Sequence, residues 1–192
     1  MFGTLLLFSP QSKVSAADWK PENPTVSSEG VSTWDCIYFG NYWQNDTNGD
    51  GVANEQDEKE PIKWRVLSVN GDDVFLVADQ NLDVRPYNEI YEEVTWKTCT
   101  LRSWLNGYDA SLNKTGKDYT QDNFMDAAFN EEEQAAIPVT TVLNISPTDQ
   151  VVVDTDTNDQ VYLLSIEEIM SKEYGFTDSN RFEPGEEVRH CT

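Results

Sequence analysis

Residues 62–78 constrain the fold more than any other stretch of this chain. Ile62, Trp64, Val66 and Ser68 recur at every second position, so a strand over 62–69 puts them on one face. Residues 74–78 form a second apolar run, V-F-L-V-A. Between the two runs stands Asn70-Gly71, a pair that readily takes the positive backbone angles of a tight hairpin turn. The runs are therefore expected to pair antiparallel. Residues 35–42, aromatic and β-branched, predict an earlier strand. Residues 79–94 read as irregular, with Pro86 among them. Leu101, Trp104 and Leu105, at i, i+3 and i+4, then predict a helix over 98–106 that stops at Gly107. A second helix is expected within 121–129. Two more open on capping boxes, Asn130 with Glu133 and Ser165 with Glu168, and a strand over 161–164 precedes the last. Strands, then helices, then a strand make an α+β fold: an antiparallel hairpin sheet with short helices.

The connection between the first two strands carries the clearest chemistry. Residues 46–57 read D-T-N-G-D-G-V-A-N-E-Q-D. Side-chain oxygens fall at loop positions one, three, five, nine and twelve, namely Asp46, Asn48, Asp50, Asn54 and Asp57. Gly51 takes position six, where an EF-hand loop turns sharply, and the Val52 carbonyl would be the position-seven ligand. Calcium, a hard cation, needs several oxygens converging on a point, and this spacing supplies them from one segment. The competing reading is a polar turn, because Asn, Asp and Gly are also turn residues. Position twelve is Asp rather than the longer Glu, and Pro61 would interrupt an exiting helix. The loop thus resembles the calcium loop of dockerin modules. Dockerins are small helical modules with two such loops, so the likeness is confined to the loop. The acidic stretch 154–159, D-T-D-T-N-D, alternates oxygens without a central Gly and reads as a solvated turn.

The formal net charge is -22, with 35 acidic against 13 basic residues, which opposes binding to nucleic acid or an anionic membrane through a basic face. Six Trp and eight Tyr oppose disorder. Leu5-Leu6-Leu7-Phe8, followed by the small-residue site Val14-Ser15-Ala16, reads as the rear part of a secretory signal peptide over 1–16. Residues 17–33, with Pro21, Pro24 and several Ser, read as a linker, and 34–192 as a single domain. No apolar run is long enough to span a membrane as a helix. Cys36, Cys99 and Cys191 leave at least one cysteine unpaired and allow one disulfide of unspecified connectivity.

Several stretches together carry a family likeness: Y-F-G-N-Y at 38–42, I-K-W-R-V-L at 62–67, T-C-T-L-R-S-W-L-N at 98–106 and V-Y-L-L-S at 161–165. They resemble a bacterial family of secreted domains of unknown function, domain of unknown function 6273, over most of 34–192. The resemblance implies a distant likeness to the C-type-lectin-like architecture also used by formylglycine-generating enzymes. It also implies further closing strands after Thr192, so that the fold is expected to be incomplete at its C-terminus. It brings no catalytic residues. Trp64, Leu101, Trp104 and Leu105 are expected to pack between hairpin and helix, and Arg102 to meet a carboxylate near the sheet.

Catalytic chemistry finds little support in the sequence. His190, the chain's one histidine, adjoins Cys191, and sequence neighbours rarely point together as a nucleophile and its base. Glycoside hydrolysis needs two carboxylates at a set separation, which an acidic chain offers without identifying. The expectation is an extracellular or cell-surface, calcium-stabilised, non-catalytic domain that binds a glycan or protein. A fragment of a secreted glycoside hydrolase is the alternative.

Overall fold

The computed structural model describes residues 4–8, 20–145, 154–177 and 190–191; for 4–8 and 190–191 the description concerns the backbone. The strands are β1 (Thr4–Phe8), β2 (Thr25–Val26), β3 (Ser32–Trp34), β4 (Cys36–Tyr42), β5 (Glu60–Asn70), β6 (Asp73–Ala78), β7 (Thr140–Val142), β8 (Thr157–Asp159), β9 (Val161–Leu163) and β10 (His190–Cys191). The helices are α1 (Thr100–Asn106), α2 (Phe124–Ala128), α3 (Glu131–Ala136) and α4 (Ile166–Ile169), with short 3-10 turns before α1, after α1 and after α4. The main sheet has the order β4-β5-β6-β1-β9, and two small sheets, β10-β3-β2 and β7-β8, flank it. The α+β expectation therefore holds, and the sheets are antiparallel apart from the parallel β10–β3 pair.

The hairpin of β5 and β6 turns at Gly71, where φ is 65°. The register shifts between Val66 and Ser68, a bulge that changes which residues share a face. Strict alternation predicts Ser68 beside Ile62, Trp64 and Val66. After the bulge it is Val69 that packs with them, and Leu67 is fully buried on the other side.

Both faces of the main sheet are covered. On one face Ile62, Trp64, Val66, Leu76 and Val161 pack with Trp104 and Leu105 of α1, and with Phe124, Met125 and Ala128 of α2. On the other, Leu67, Phe75, Val77 and Tyr162 pack with Trp34, Tyr174 and Phe176. Each fully buried large apolar side chain contributes roughly 1.5–3 kcal/mol relative to exposure. The sheet comes very close to α2 at Gly40, which lies in the β4 bulge at φ 70°. A Cβ there would stand 2.4 Å from the Phe129 ring, so only glycine fits.

Helix α1 stops at Gly107 in the left-handed conformation, as the sequence predicts. Both capping boxes form, at Asn130 with Glu133 and at Ser165 with Glu168. The stretch read as a linker differs: its later part forms β2 and β3, which pair with each other. Ser27 turns the chain by accepting the Gly30 amide on its carbonyl and the Val31 amide on its hydroxyl. Buried Trp34 then anchors the second strand through an Nε1–H bond of 2.9 Å to the Tyr174 carbonyl. The apolar run read as a leader lies as β1 between β6 and β9, and the cleavage motif at 14–16 falls outside the described residues. The side chains of His190 and Cys191 also lie outside them.

Arg102 meets its carboxylate. Asp159 is fully buried, and its Oδ1 accepts from Arg102 Nε at 2.8 Å. Its Oδ2 accepts from Trp96 Nε1 at 2.9 Å and from Thr157 Oγ1 at 2.7 Å. The Tyr108 hydroxyl, its acidity lowered by burial and then by the Asp159 charge, stands 3.0 Å from Oδ1. Removing one partner of a buried pair strands the other charge, at a cost of about 3–5 kcal/mol. Asp159→Ala should lose about that much in denaturant unfolding. Combining it with Arg102→Met should recover part of the loss, as a coupled pair requires.

Candidate functional site

The predicted loop spans 46–57 between β4 and β5, and its form follows from its own carboxylates. Asp46 Oδ1 accepts the amides of Gly49 at 2.6 Å and Asp50 at 3.1 Å, and its Oδ2 accepts that of Gly51 at 2.7 Å. Asn48 Oδ1 accepts from the Asp50 amide at 2.9 Å, Asp50 Oδ1 from the Val52 amide at 2.9 Å, and Asn54 Oδ1 from the Gln56 amide at 2.8 Å. Each short polar side chain thus curls the backbone two to five residues onward, and Gly49 and Gly51 supply the positive φ.

Asp57 closes the turn. Its Oδ1 accepts from the Thr47 amide at 2.8 Å, the Asn48 amide at 3.0 Å and the Thr47 hydroxyl at 3.0 Å. Its Oδ2 accepts from the Asn54 amide at 2.9 Å. These bonds, that of Asn54 foremost, hold the carboxyl below its usual 3.8. A carboxylate has about four acceptor positions. Asp57 crowds three loop donors onto Oδ1 and one onto Oδ2, whereas Asp46 accepts three amides over both oxygens and Asp50 one. The oxygens that could turn to a hard cation without breaking these bonds are therefore those of Asp46, Asn48, Asp50 and Asn54, the Val52 carbonyl, and Oδ2 of Asp57. Asn54 spends its amide nitrogen on the Val52 carbonyl at 3.1 Å. Asp57 would have to release loop donors only to ligate through Oδ1 as well. Among the described residues, no three His, Cys, Asp or Glu side chains form a ready metal set.

The acidic stretch near the end of the chain disperses instead of converging. Asp154 binds Thr95 and Lys97, Asp156 accepts from the Asn144 amide, and Asp159 is buried under Arg102. The expectation of a solvated turn is corrected at Asp159, whose partners come from sequence-distant elements.

The outgoing half of the loop, Val52–Gln56, forms one wall of a cleft of about 760 Å³. Tyr42 at the end of β4 with Trp43 after it, the segment 81–85, Trp104 of α1 and residues around α2 line the rest. The Tyr42 hydroxyl donates to Asp83 Oδ2 at 2.8 Å. Burial, then the Asp83 charge, keeps that hydroxyl protonated far above its usual range. Asp83 also pairs with Arg85 at 3.4 Å, and the Arg85 guanidinium lies 4.3 Å from the Trp104 ring centre. The same 81–85 segment walls a second hollow of about 320 Å³ toward Leu101 and Phe124. Sequence reasoning missed Asp83 and Arg85, because an irregular segment has no period to show where its side chains point.

Cysteine chemistry is quiet here. Cys36 is disulfide-bonded, while Cys99 is a free, buried thiol whose acidity burial reduces. Among the described residues Asp57, Glu89, Asp109 and Asp154 have carboxyls shifted downward, opposite to what a general acid requires.

These features define a protein class: an α+β domain with antiparallel sheets, short helices and an Asx-rich loop beside a cleft. The family described as Domain of unknown function (DUF6273) matches residues 71–189, more than half of the sequence, and the chain belongs to it. No curated protein and no solved structure matches the chain significantly. The likeness expected from residue 34 is found from residue 71, so the loop and β2–β5 precede the matched span.

The clamp at Asp57 yields a pH prediction. A carboxyl lowered in the fold stabilises the loop at pH values above its unfolded pKa, and that contribution is lost as pH falls through the folded one. The amide signals of Thr47, Asn48 and Asn54 should therefore lose hydrogen-exchange protection together, below the ordinary carboxylate range. In Asp57→Ala, which removes the acceptor, the same amides should be unprotected at neutral pH.

Proposed function

We propose that this protein is an extracellular or cell-surface, calcium-stabilised, non-catalytic binding domain of a bacterial secreted or surface protein, and that its ligand is a glycan or a protein. The C-type-lectin-like relation of its architecture belongs to the same proposal. The observation that carries the reading is the loop itself, where Asp46, Asn48 and Asp50 curl the backbone in order beside a cleft. Calcium would be held by Asp46, Asn48, Asp50, the Val52 carbonyl, Asn54 and Asp57. Its binding would fix Val52–Gln56 and so set one wall of the cleft. The Cys36 disulfide supports an oxidising compartment. The apolar run before Val14-Ser15-Ala16 supports export. Among the described residues no helix is long and apolar enough to cross a membrane.

A cation that binds only the folded state raises stability by linkage, by about 2.7 kcal/mol at a hundredfold excess over Kd. Melting temperature should rise in calcium relative to chelator, and Asp50→Ala should abolish the difference. Equal midpoints for the native chain in both buffers would overturn the calcium assignment. Magnesium should substitute poorly, since it prefers tighter octahedral geometry and keeps its water. For export, mass spectrometry of native material should find a mature start at Ala17 in the extracellular fraction; intact Met1 in cytosolic protein contradicts it. A glycan panel separates binder from hydrolase: the proposal expects saturable retention without product, and product release would establish the alternative.

A further inference from the structure

The cleft beside the loop is walled by polar groups that the fold leaves uncommitted. At about 760 Å³ it has the size of a small-ligand site. Trp104 lines both this cleft and the smaller hollow next to it. It is 5% exposed, and its Nε1–H has no acceptor among the described residues. Buried donors are nearly always paired, so an orphan in the wall of two hollows marks a place where an acceptor belongs.

Arg85 supplies further donors. Its guanidinium lies over the Trp104 ring, and its Nε is directed to Asp83 at 3.4 Å. Asp83 is itself fixed, because Oδ2 accepts from the Tyr42 hydroxyl and Oδ1 from the Val84 amide at 2.6 Å. Held this way, Arg85 keeps both terminal nitrogens without a partner among the described residues. Acceptors stand in the same lining. Asp122 has no hydrogen bond or ion pair among the described residues, and neither do the side-chain amides of Gln56 and Asn81. The charge of Asp122 also reaches the Tyr42 hydroxyl that binds Asp83.

This mixture selects the ligand. An anionic ligand would satisfy Arg85 but meet Asp83, Asp122 and Glu55 in the same lining. A cationic ligand would meet Arg85 and leave the Trp104 N–H without an acceptor. An extended peptide would find no ladder to join, since the walls are loop and helix residues apart from Tyr42, the last residue of β4. A hydroxyl donates and accepts at one atom, so neighbouring hydroxyls serve carboxylate, amide, guanidinium and indole N–H together. A sugar ring also has apolar C–H faces, and Trp43 offers aromatic surface in the same lining.

We infer that the cleft binds an uncharged saccharide, whose hydroxyls donate to Asp83 and Asp122 and accept from Arg85, with the Trp104 N–H as the innermost donor. That N–H is closed off from solvent, so binding includes a small displacement of Arg85, which lies over the indole. The inference rests on the reading of this domain as a binding module and narrows its ligand from a glycan or protein to a neutral glycan.

The test titrates the full chain with tetrasaccharides by calorimetry. Cellotetraose, mannotetraose and N-acetylchitotetraose are the neutral probes, tetragalacturonate the acidic one and the chitosan tetramer the basic one. At least one neutral probe should bind saturably by about 10 mM. Arg85→Ala and Asp122→Ala should each weaken it roughly tenfold or more, as loss of a charged hydrogen bond implies. Both residues are exposed, and unchanged melting of the variants shows that the fold is kept. In the native chain the indole N–H resonance of Trp104 should move on binding while that of Trp34, behind the sheet, stays. This shift judges the site even where a variant melts lower. Failure of every neutral probe to bind, tighter binding of the acidic or basic tetramer, full affinity in either variant, or an unmoved Trp104 signal would overturn the inference. Titration in calcium and in chelator keeps the readings apart. Neutral-sugar binding with equal melting in both buffers fails the calcium assignment alone. Calcium-dependent melting without neutral-sugar binding fails this inference alone.

Discussion

The buried carboxylate of Asp159 is the point through which the second half of the chain is tied together. Four side chains reach it, from the turn before α1, from α1, from the segment after α1 and from β8. A lone carboxylate in that position would be untenable, because the cost of removing a charge from water is several kcal/mol. Four partners around two oxygens remove the difficulty and impose a geometry. α1 cannot rotate without taking Arg102 away, and β8 cannot slide without moving Asp159. Asn106 then extends the tie to β9 through both backbone groups of Val161. The helix that covers the sheet is located by polar contacts at both ends and by Trp104 and Leu105 between them.

What the sequence made legible follows from the range of the forces involved. The β5–β6 hairpin, the stop at Gly107 and the two capping boxes depend on residues within a few positions of one another, and they form as read. The loop 46–57 is equally local, since the bonds from its carboxylates that shape it lie within it. The bulge at Leu67 was not legible, because one extra residue leaves no mark in an apolar run. β7 and β8 were not legible either: T-T-V and T-N-D are strands because they pair with each other across a long connection. The candidate cleft shares this limit. Its loop wall could be read, whereas Asp83 and Arg85 reach it only through the path of residues 79–94.

The loop and the cleft are joined mechanically as well as by proximity. Gln44 and Asn45, just after β4, bond to Glu60 and Pro61 at the start of β5, so the base of the loop is fastened to the sheet. A rearrangement at Asp57 cannot dissipate into a slack connection. It has to move Val52–Gln56, the part that faces Tyr42 and Trp43.

A sheet buried on both faces also divides the molecule optically. Trp64 and Trp104 lie in the larger cluster, and Trp34 lies in the smaller one behind the sheet. Indole emission depends on its surroundings, so single-tryptophan variants would report the two cores as separate channels. If the wings of β2, β3 and β10 loosened before the main sheet, the Trp34 channel would shift while the others stayed constant. The fold thus contains its own means of revealing whether it melts as one body or as two.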